Sequence, residues 1–225
     1  MSEIDLQNIA VLSGYHGLSE TQKAQFKRVI MEGLNGKFAR TLPDDEKSIL
    51  RIIDIWIKYD FLPMDETFCA ADETGGDVLA ILLLNNFKKP GPFQSLFCLI
   101  SVMKAIGAGK ALRLAFSFLR LDNLNKEQKD ERIAAEIYLV STRADMRGKG
   151  IGTLLMNRVL ERIDAEYASR TEDGYRVKLL VFAKNPALRM YERLGFKPVK
   201  SVDTPRMAQA FGDEYDALVF MERAL

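Results

Sequence analysis

Hydrophobic and polar positions alternate along the first part of the chain in patterns that predict a strand and two amphipathic helices. A short apolar run at residues 9–12 predicts the strand. Ser19 and Gln22 form a capping-box pattern at the start of the first helix. Asp44 or Asp45 is placed to cap the second helix. The apolar positions at helical spacing are Phe26, Val29, Ile30, Leu34 and Phe38 in the first helix and Ile49, Ile52, Ile53, Trp56 and Ile57 in the second.

Two pairs of apolar runs predict antiparallel hairpins. Residues 67–71 and 78–84 flank a polar, glycine-containing segment that is typical of a turn. Near the end of the chain, residues 198–202 and 216–221 are expected to pair as a closing hairpin. Residues 203–213 are expected to form the loop between them.

Composition limits the classes of function that the chain can serve. The 225 residues carry a net charge of +1, which argues against a nucleic-acid-binding protein because such a protein has a basic excess on one face. His16 is the only histidine, so neither a histidine-dependent triad nor a metal site is expected. Cys69 and Cys98 lie in apolar contexts and are expected to be buried thiols. The first residues lack the apolar core of a signal peptide, so a cytoplasmic protein is expected.

The main candidate for chemistry is a glycine-rich turn at residues 147–153, with the sequence Arg-Gly-Lys-Gly-Ile-Gly-Thr. It follows a predicted buried strand at 137–140 and precedes an amphipathic helix. Because the glycines lack Cβ atoms, their backbone N–H groups can approach a ligand closely, and the unpaired amides of a helix start suit an anion such as pyrophosphate. Arg147 and Lys149 add positive charge. A turn whose glycines serve only backbone geometry is the alternative.

Three phosphate-binding motifs place glycines in such a turn, and one of them fits. A Walker loop requires Ser or Thr after Gly148-Lys149, where this chain has Gly150. A dinucleotide fingerprint requires its third glycine one residue later than Gly152. The pattern Arg-x-x-Gly-x-Gly that begins at Arg147 resembles the pyrophosphate loop of the GNAT superfamily of acyl-CoA N-acyltransferases.

A second motif downstream supports the same resemblance. Asn185 suits the N-cap of a short helix, Pro186 its first position and Gly195 a left-handed cap at its end. The order of strand, asparagine, short helix, Tyr191 and Gly195-Phe196 resembles the second GNAT motif. The resemblance is specific over residues 134–198 and concerns only topology upstream of them.

The resemblance implies an α/β (α+β) GNAT fold in one domain, residues 1–225. Its central sheet is expected to be mixed, mostly antiparallel and flanked by helices, with a bulge in the strand before the loop. The fourth and fifth strands, at 137–140 and 177–182, are expected to splay apart. A long helical insertion, about 88–132, is expected between the third and fourth strands.

The same resemblance implies an N-acetyltransferase that moves an acetyl group from acetyl-CoA to a primary amine by direct attack. Its partners would be acetyl-CoA and a small-molecule or peptide amine, without nucleic acid, metal or a membrane span. The Val140 N–H is expected to polarise the thioester carbonyl. A non-catalytic acyl-CoA-binding module of this fold is the alternative. The residues expected to contact CoA are Val140, Ser141, Thr142, Arg147, Gly148, Lys149, Gly150, Ile151, Gly152, Thr153, Asn185 and Tyr191.

Two residues are candidates for proton transfer. Tyr191 matches the general acid that protonates the leaving thiolate in the family, and a core tyrosine is the alternative. Glu136 stands where the histone-acetylating branch keeps its general base, and a solvated strand end is the alternative.

The insertion departs most from the family pattern. Two apolar helical patterns are joined by Gly107-Ala108-Gly109, and from residue 78 to 121 there are six basic residues and no acidic one. One interpretation is a hairpin packed on the core or on a second copy as a homodimer interface. The other is a cap over the acceptor site. In that case Phe93, Phe97 or Phe116 would line the pocket, and Lys104, Lys110 and Arg113 would favour an anionic acceptor.

Overall fold

The computed structural model describes residues 6–34, 45–72, 76–85, 90–126, 131–168 and 174–225. The strands are β1 (Ala10–Ser13), β2 (Thr67–Ala71), β3 (Val78–Leu84), β4 (Ile133–Thr142), β5 (Arg176–Phe182), β6 (Lys197–Asp203) and β7 (Ala217–Ala224). The helices are α1 (Glu20–Leu34), α2 (Glu46–Lys58), α3 (Pro92–Ile106), α4 (Ala108–Lys126), α5 (Ile151–Tyr167), α6 (Leu188–Arg193) and α7 (Pro205–Phe211).

The seven strands form one sheet in the order β1-β2-β3-β4-β5-β7-β6. β4 and β5 are parallel, and the other neighbouring pairs are antiparallel, including both predicted hairpins. A parallel pair needs a crossover, which α5 supplies between β4 and β5. The expected fold class, a mixed and mostly antiparallel sheet flanked by helices, is confirmed.

Local capping determines where the first two helices begin. The Ser19 N–H donates to Gln22 Oε1 at 2.8 Å, and the Gln22 N–H donates to Ser19 Oγ at 3.3 Å, as the capping box predicts. Asp45 caps α2 by accepting from the Ser48 N–H at 2.8 Å. Phe38 and Asp44, which were predicted for this part of the chain, lie outside the described residues.

The sheet buries a separate apolar cluster on each of its two faces. On one face, called the α1 face below, the cluster contains side chains from α1, α2, α3, α4 and α7. On the other, called the α5 face, it contains side chains from α5 and α6. Cys69 and Cys98 are buried in the α1-face cluster as free thiols, and burial raises their pKa to about 12 and about 11.

Helix α1 packs tightly against β4. Gly33 of α1 faces Ser141 of β4 so closely that a Cβ on Gly33 would collide with the Ser141 side chain. The Ser141 hydroxyl donates to the Val29 carbonyl at 2.8 Å, which satisfies a polar group that is only 6% exposed. This contact fixes the position of the C-terminal half of β4.

A bulge interrupts β4 where it runs beside β3. Leu83 pairs with Leu139 and Leu84 pairs with Ile137, so Tyr138 is the extra residue. A bulge bends its strand and increases the local twist. The bulge expected from the family resemblance is therefore present, at Tyr138.

Beyond this point β4 and β5 separate. Their last paired residues are Ile137 and Leu179, although β4 continues to Thr142 and β5 to Phe182. β5 stays paired with β7 along its whole length, and β4 stays paired with β3. The expected splay is confirmed, and the space between the two unpaired ends is called the β4–β5 gap below.

The insertion forms the helical hairpin α3–α4. The predicted three-residue link is in fact a single residue, because α4 begins at Ala108 and Gly109 lies inside it. Gly107 has φ +86° and its carbonyl accepts from the Ala111 N–H at 3.1 Å, so one left-handed residue reverses the chain. Over the described ranges, no helix has the length and apolar character needed to cross a bilayer.

The prediction of a loop at residues 203–213 is wrong, because most of this segment forms α7. Met207 and Phe211 are spaced one helical turn apart and are both buried in the α1-face cluster. The Thr204 hydroxyl, at the start of the segment, donates to the Tyr215 carbonyl at 2.7 Å. Tertiary burial of two side chains thus stabilises a helix too short for a sequence pattern to reveal.

Candidate active site

Backbone groups of β4 point into the β4–β5 gap. The Arg143 N–H donates to the Leu79 carbonyl at 2.9 Å, which marks this pair as hydrogen-bonded across β3 and β4. Because hydrogen-bonded and non-hydrogen-bonded pairs alternate in an antiparallel ladder, Val140 and Thr142 direct their N–H and C=O groups away from β3. On that side β5 has already separated. The Thr142 carbonyl accepts from Arg147 Nε at 3.1 Å, so the Val140 N–H and C=O and the Thr142 N–H are the groups positioned to pair with an extended ligand.

Polar contacts hold the loop that leaves β4. Arg143 donates to Asp145 at 2.8 Å and to Asp77 at 3.2 Å, and the first contact holds the pKa of the Asp145 carboxyl below its usual range. The Ala144 N–H donates to a carboxylate oxygen of Glu32 at 2.6 Å. Together these contacts join the loop to α1 and to the β2–β3 hairpin.

Arg147 stabilises the same loop through carbonyl oxygens. Its Nε donates to the Thr142 carbonyl at 3.1 Å, and its terminal nitrogen donates to the Glu32 carbonyl at 2.9 Å. Arg147 was predicted to contact an anion, but its guanidinium is largely engaged by the protein. Its first role in this structure is to fold the loop back onto β4 and α1.

A run of free amides follows. Among the described residues, none of the backbone N–H groups of residues 148–153 has a protein acceptor; the first helical bond is Leu154 N–H to the Gly150 carbonyl. Gly148 and Gly150 have φ of +76° and +83°, a region that favours glycine. A Cβ on Gly152 would lie 2.8 Å from the Thr142 hydroxyl. The three glycines therefore permit the turn and its close approach to β4, and the free amides suit an anion.

The other predicted ligand-binding residues differ in what they offer. Ile151 is fully buried, so only its backbone can reach a ligand. Thr153 borders a shallow surface groove beside the loop, together with Leu6 and Asn157. The Lys149 ammonium lies 3.6 Å from the Met146 sulfur, near the free amides.

Asn185 begins the turn that leads into α6. Its Oδ1 accepts from the Ala187 N–H at 2.9 Å, and the helix starts at Leu188, two residues later than predicted from Pro186. At the other end Gly195 is left-handed, with φ +87°, as predicted. The side-chain oxygen of Asn185 is thus used within the protein.

Tyr191 lies on α6 and is buried in the α5-face cluster. Only 8% of the residue is exposed, and burial raises the pKa of its phenol to about 12. Its ring contacts Phe196 edge-on, with 6.2 Å between the ring centres. Within the described part of the chain its hydroxyl has no hydrogen-bond partner. The phenol is therefore protonated at neutral pH and available to donate a proton.

Glu136 is buried and paired, so the alternative of a solvated strand end does not fit this structure. It is 4% exposed, and its Oε2 lies 3.5 Å from the Lys178 ammonium on β5. Asn85 Nδ2 donates to the same oxygen at 3.2 Å. Lys178 is 4% exposed and is the direct cross-strand neighbour of Glu136. A buried carboxylate of this kind requires such partners.

The candidate acid and base lie on opposite faces of the sheet. Ala135 and Ile137 belong to the α5-face cluster, so the side chain of Glu136 between them points to the α1 face. Tyr191 belongs to the α5-face cluster. The β4–β5 gap opens just beyond Glu136 and connects the two faces.

Sequence reasoning missed Lys178 and Asn85. Lys178 stands within a predicted apolar strand, and a lysine inside such a run is the signal that could have indicated a buried partner. Which acidic residue it meets depends on the register between β4 and β5, and no local pattern specifies that register.

The comparisons with known proteins concern the same part of the chain. A family model for the acetyltransferase (GNAT) domain matches residues 113–198, which include β4, the glycine loop, α5, β5 and α6. Over these residues the chain is similar to the acetyltransferase domain of the GNAT superfamily. No curated protein matches the sequence.

Solved structures show the same fold at low sequence identity. A Corynebacterium glutamicum protein described as histone acetyltransferase HPA2 and related acetyltransferase is 16% identical, with a TM-score of 0.55 over 96% of this chain and 95% of that one. A GCN5-related N-acetyltransferase from Kribbella flavida is 16% identical, with a TM-score of 0.52 over 98% and 100%. A ribosomal-protein-alanine N-acetyltransferase from Brucella melitensis is 15% identical, with a TM-score of 0.52 over 96% and 99%. These likenesses concern the fold alone.

Lys178→Met is expected to lower the free energy of unfolding by about 3–5 kcal/mol at pH 7, because it leaves the buried Glu136 carboxylate without its cation. Adding Glu136→Gln should recover most of the loss, since no buried charge then remains. Chemical denaturation of both variants measures this, with the exposed Lys197→Met as the control. A loss below about 1 kcal/mol for Lys178→Met would contradict a paired, buried carboxylate.

Proposed function

We propose that the protein transfers an acetyl group from acetyl-CoA to a primary amine of a small molecule or peptide. The proposal rests on two features that follow one another at the end of β4. The backbone of Val140 and Thr142 faces the β4–β5 gap, and the free amides of residues 148–153 begin directly after the strand and its short loop. One long ligand with an extended arm and a pyrophosphate would engage both.

The donor would lie along the unpaired edge of β4. The pyrophosphate of CoA would accept from the amides of residues 148–153, where the positive end of the α5 dipole and the Lys149 charge favour an anion. The pantetheine arm would pair with Val140 and Thr142 as an added strand does. The Val140 N–H would then donate to the thioester carbonyl and stabilise the charge that develops on its oxygen.

Tyr191 would supply the proton to the departing thiolate. A thiolate needs a proton donor that is still protonated at neutral pH, and a phenol with a pKa of about 12 meets that requirement. The new amide bond forms as the carbon–sulfur bond breaks, and the phenol proton ends on sulfur.

Glu136 would accept the proton that the amine loses. The carboxylate points to the α1 face, so the amine acceptor would enter from that side. Acetyl-CoA would enter from the other end of the gap, where the glycine loop lies. Lys178 and Asn85 would hold the carboxylate in one orientation. In the proposed mechanism they are positioning residues, because each acts through Glu136.

Two measurements test the function as a whole. Isothermal titration calorimetry should detect CoA binding and weaker or no binding of ATP, since the loop lacks the glycine spacing of nucleotide-binding motifs. A free-thiol assay with acetyl-CoA and a set of primary amines should then detect turnover. CoA binding without turnover for any small-molecule or peptide amine would favour the acyl-CoA-binding module instead.

Gly150→Glu should lower CoA affinity by at least about 100-fold, because it places a carboxylate among the amides that face the pyrophosphate. Part of the change is backbone strain, since residue 150 is left-handed and a Cβ there meets Leu6 at 3.3 Å. Gly150→Ala carries that strain without the charge and should bind far better than the glutamate variant. Gly174→Glu, at φ +60° in open space, controls for a glutamate in a left-handed position elsewhere. Equal CoA affinity in folded Gly150→Glu and wild-type protein would refute the loop assignment.

Tyr191→Phe should lower kcat by about tenfold or more and leave the KM for acetyl-CoA nearly unchanged, because the hydroxyl matters as charge develops on sulfur. A proton donor with a pKa of about 12 stays protonated between pH 6 and 10, so Tyr191 should not produce a basic limb in the wild-type profile over that range. Single-turnover kinetics, with Tyr175→Phe as the matched control, measure the chemical step. Wild-type kcat in Tyr191→Phe would reassign the residue to packing.

Glu136→Gln should depress activity most at low pH, where the amine is mainly protonated and a base is most needed. CoA affinity should be retained, because Glu136 lies in the part of β4 that still pairs with β5, before Val140 and Thr142, which would hold the donor. Glu166→Gln, an exposed change on α5, is the control. An unchanged pH–rate profile would exclude Glu136 as the base.

A further inference from the structure

The exposed large hydrophobic residues of this protein are concentrated on the α3–α4 hairpin. Seven of the thirteen such residues in the described chain lie there. We call this set the hairpin face, and its members are Phe93, Leu96, Phe97, Ile100, Leu112, Phe116 and Leu119. The cap interpretation expects Phe93, Phe97 or Phe116 to line a pocket. All three are exposed to solvent, so they do not line an enclosed pocket.

The seven side chains lie on the sides of α3 and α4 that face away from the core. On α3 they recur at intervals of three and four residues, opposite the buried Cys98 and Val102. On α4 they do the same, opposite the buried Ala111 and Leu114. α3 and α4 pack side by side, and since their inner sides both enter the α1-face cluster, their outer sides face the same direction.

The hairpin face is large enough for a stable protein interface. Phe93, Phe97 and Phe116 are 76%, 54% and 68% exposed, which at ~200 Å² for each aromatic side chain is roughly 400 Å². The four aliphatic residues add to this. A monomer's largest apolar patch is typically about 300–600 Å², and a standard interface takes about 800 Å² from each partner. The exposed apolar area of the hairpin face is therefore a large part of the area that one partner contributes to a standard interface.

The turn end of the hairpin face is basic, whereas the opposite end carries an anion and a cation. At the turn between the helices, Lys104, Lys110 and Arg113 are exposed. At the opposite end, Asp60 is exposed beside the start of α3, and its carboxylate accepts from Gln94 Nε2 at 3.0 Å. Lys58 is a cation at this end also, held over the Tyr59 ring at 5.4 Å. The ten residues from Gln94 to Lys104 span about 15 Å of helix.

We infer that the hairpin face is a homodimer interface in which two copies pair about a two-fold axis with their α3 helices antiparallel. In such an isologous interface, each contact between one residue of the first copy and another residue of the second copy occurs twice, once in each direction. The apolar centre of one copy then covers that of the other, and the basic turn of each copy meets the Asp60 end of its partner. Opposite charges at the rim fix the register and orientation of the pair.

The charges favour a second copy over a lipid surface. A bilayer rich in anionic lipid attracts Lys104, Lys110 and Arg113 but repels Asp60, which accepts from Gln94 in the first turn of α3. Antiparallel pairing brings the basic turn of one copy to the Asp60 end of the other. This inference does not depend on the proposed acetyl transfer.

Light scattering coupled to gel filtration tests the interface at about 10 µM chain, because interfaces of this size have affinities from µM to pM. The expected mass is twice the 25.5 kDa of one chain. Phe97→Ser combined with Phe116→Ser should give a folded monomer, since it removes the apolar centre. Val199→Ser, a 52% exposed change on β6, should remain dimeric. Circular dichroism establishes that each variant is folded.

A double-mutant cycle tests the antiparallel arrangement. Lys104→Ala and Asp60→Asn should each weaken the dimer several-fold, and the two together should weaken it by less than the product, because they remove the same contact. Asparagine suits residue 60, whose φ is +59°. Strict multiplicativity would refute the antiparallel pairing.

Three results would overturn the inference. They are a wild-type monomer, a dimer that survives the paired phenylalanine changes in folded protein, and strict multiplicativity in the double-mutant cycle. A wild-type monomer should also be sedimented with vesicles that contain phosphatidylglycerol and with pure phosphatidylcholine vesicles. Binding only to the former would assign the face to an anionic lipid surface.

Discussion

The separation of β4 from β5 after Ile137 and Leu179 is the constraint on which the rest of the structure depends. A strand edge inside a sheet must pair its backbone groups, and leaving them unpaired is costly unless water or a ligand takes the place of the missing strand. Each strand is held away from the other by its outer neighbour, β4 by β3 and β5 by β7. The bulge at Tyr138 bends β4, and the contact of Ser141 with Val29 of α1 fixes the bent end. An opening built from rigid elements in this way is preorganised, so a ligand that enters it need not order the backbone on binding.

The buried pair of Glu136 and Lys178 lies at the closed end of that opening, and its energetics argue for a functional role. Two charges taken out of water gain little net stability from each other, and apolar residues of similar size would serve the core as well or better. The site nevertheless keeps both charges, with Asn85 as a further partner of the carboxylate. Their location is the last region where β4 and β5 still pair, immediately before the backbone becomes available to a ligand. A carboxylate held there in one orientation is what proton transfer from an amine requires.

Features that depend on neighbours in sequence could be predicted, and features that depend on register or tertiary burial could not. The capping box at Ser19, the hairpin of β2 and β3 and the glycine turn after β4 each follow from a few adjacent residues, and the structure confirms them. The partner of Glu136 follows from the pairing of β4 with β5, which is set by contacts distant in sequence. α7 was missed because a single turn of buried apolar residues gives no periodicity to detect. Arg147 was assigned to the ligand from its charge, whereas the fold gives it two carbonyl oxygens first.

In the two proposals, the α3–α4 hairpin would keep assembly apart from donor binding. The hairpin packs on the α1 face, to which Glu136 points, whereas α5 and Tyr191 cover the other face. Pairing of two copies through the hairpin face would place each partner on the acceptor side of the sheet and leave the glycine turn open. Seven exposed apolar side chains are a liability for a protein that stays alone in solution, because such surfaces associate. In the proposed dimer, their placement on one hairpin, with basic residues at its turn and Asp60 at its other end, would direct that association to a single orientation rather than to aggregation.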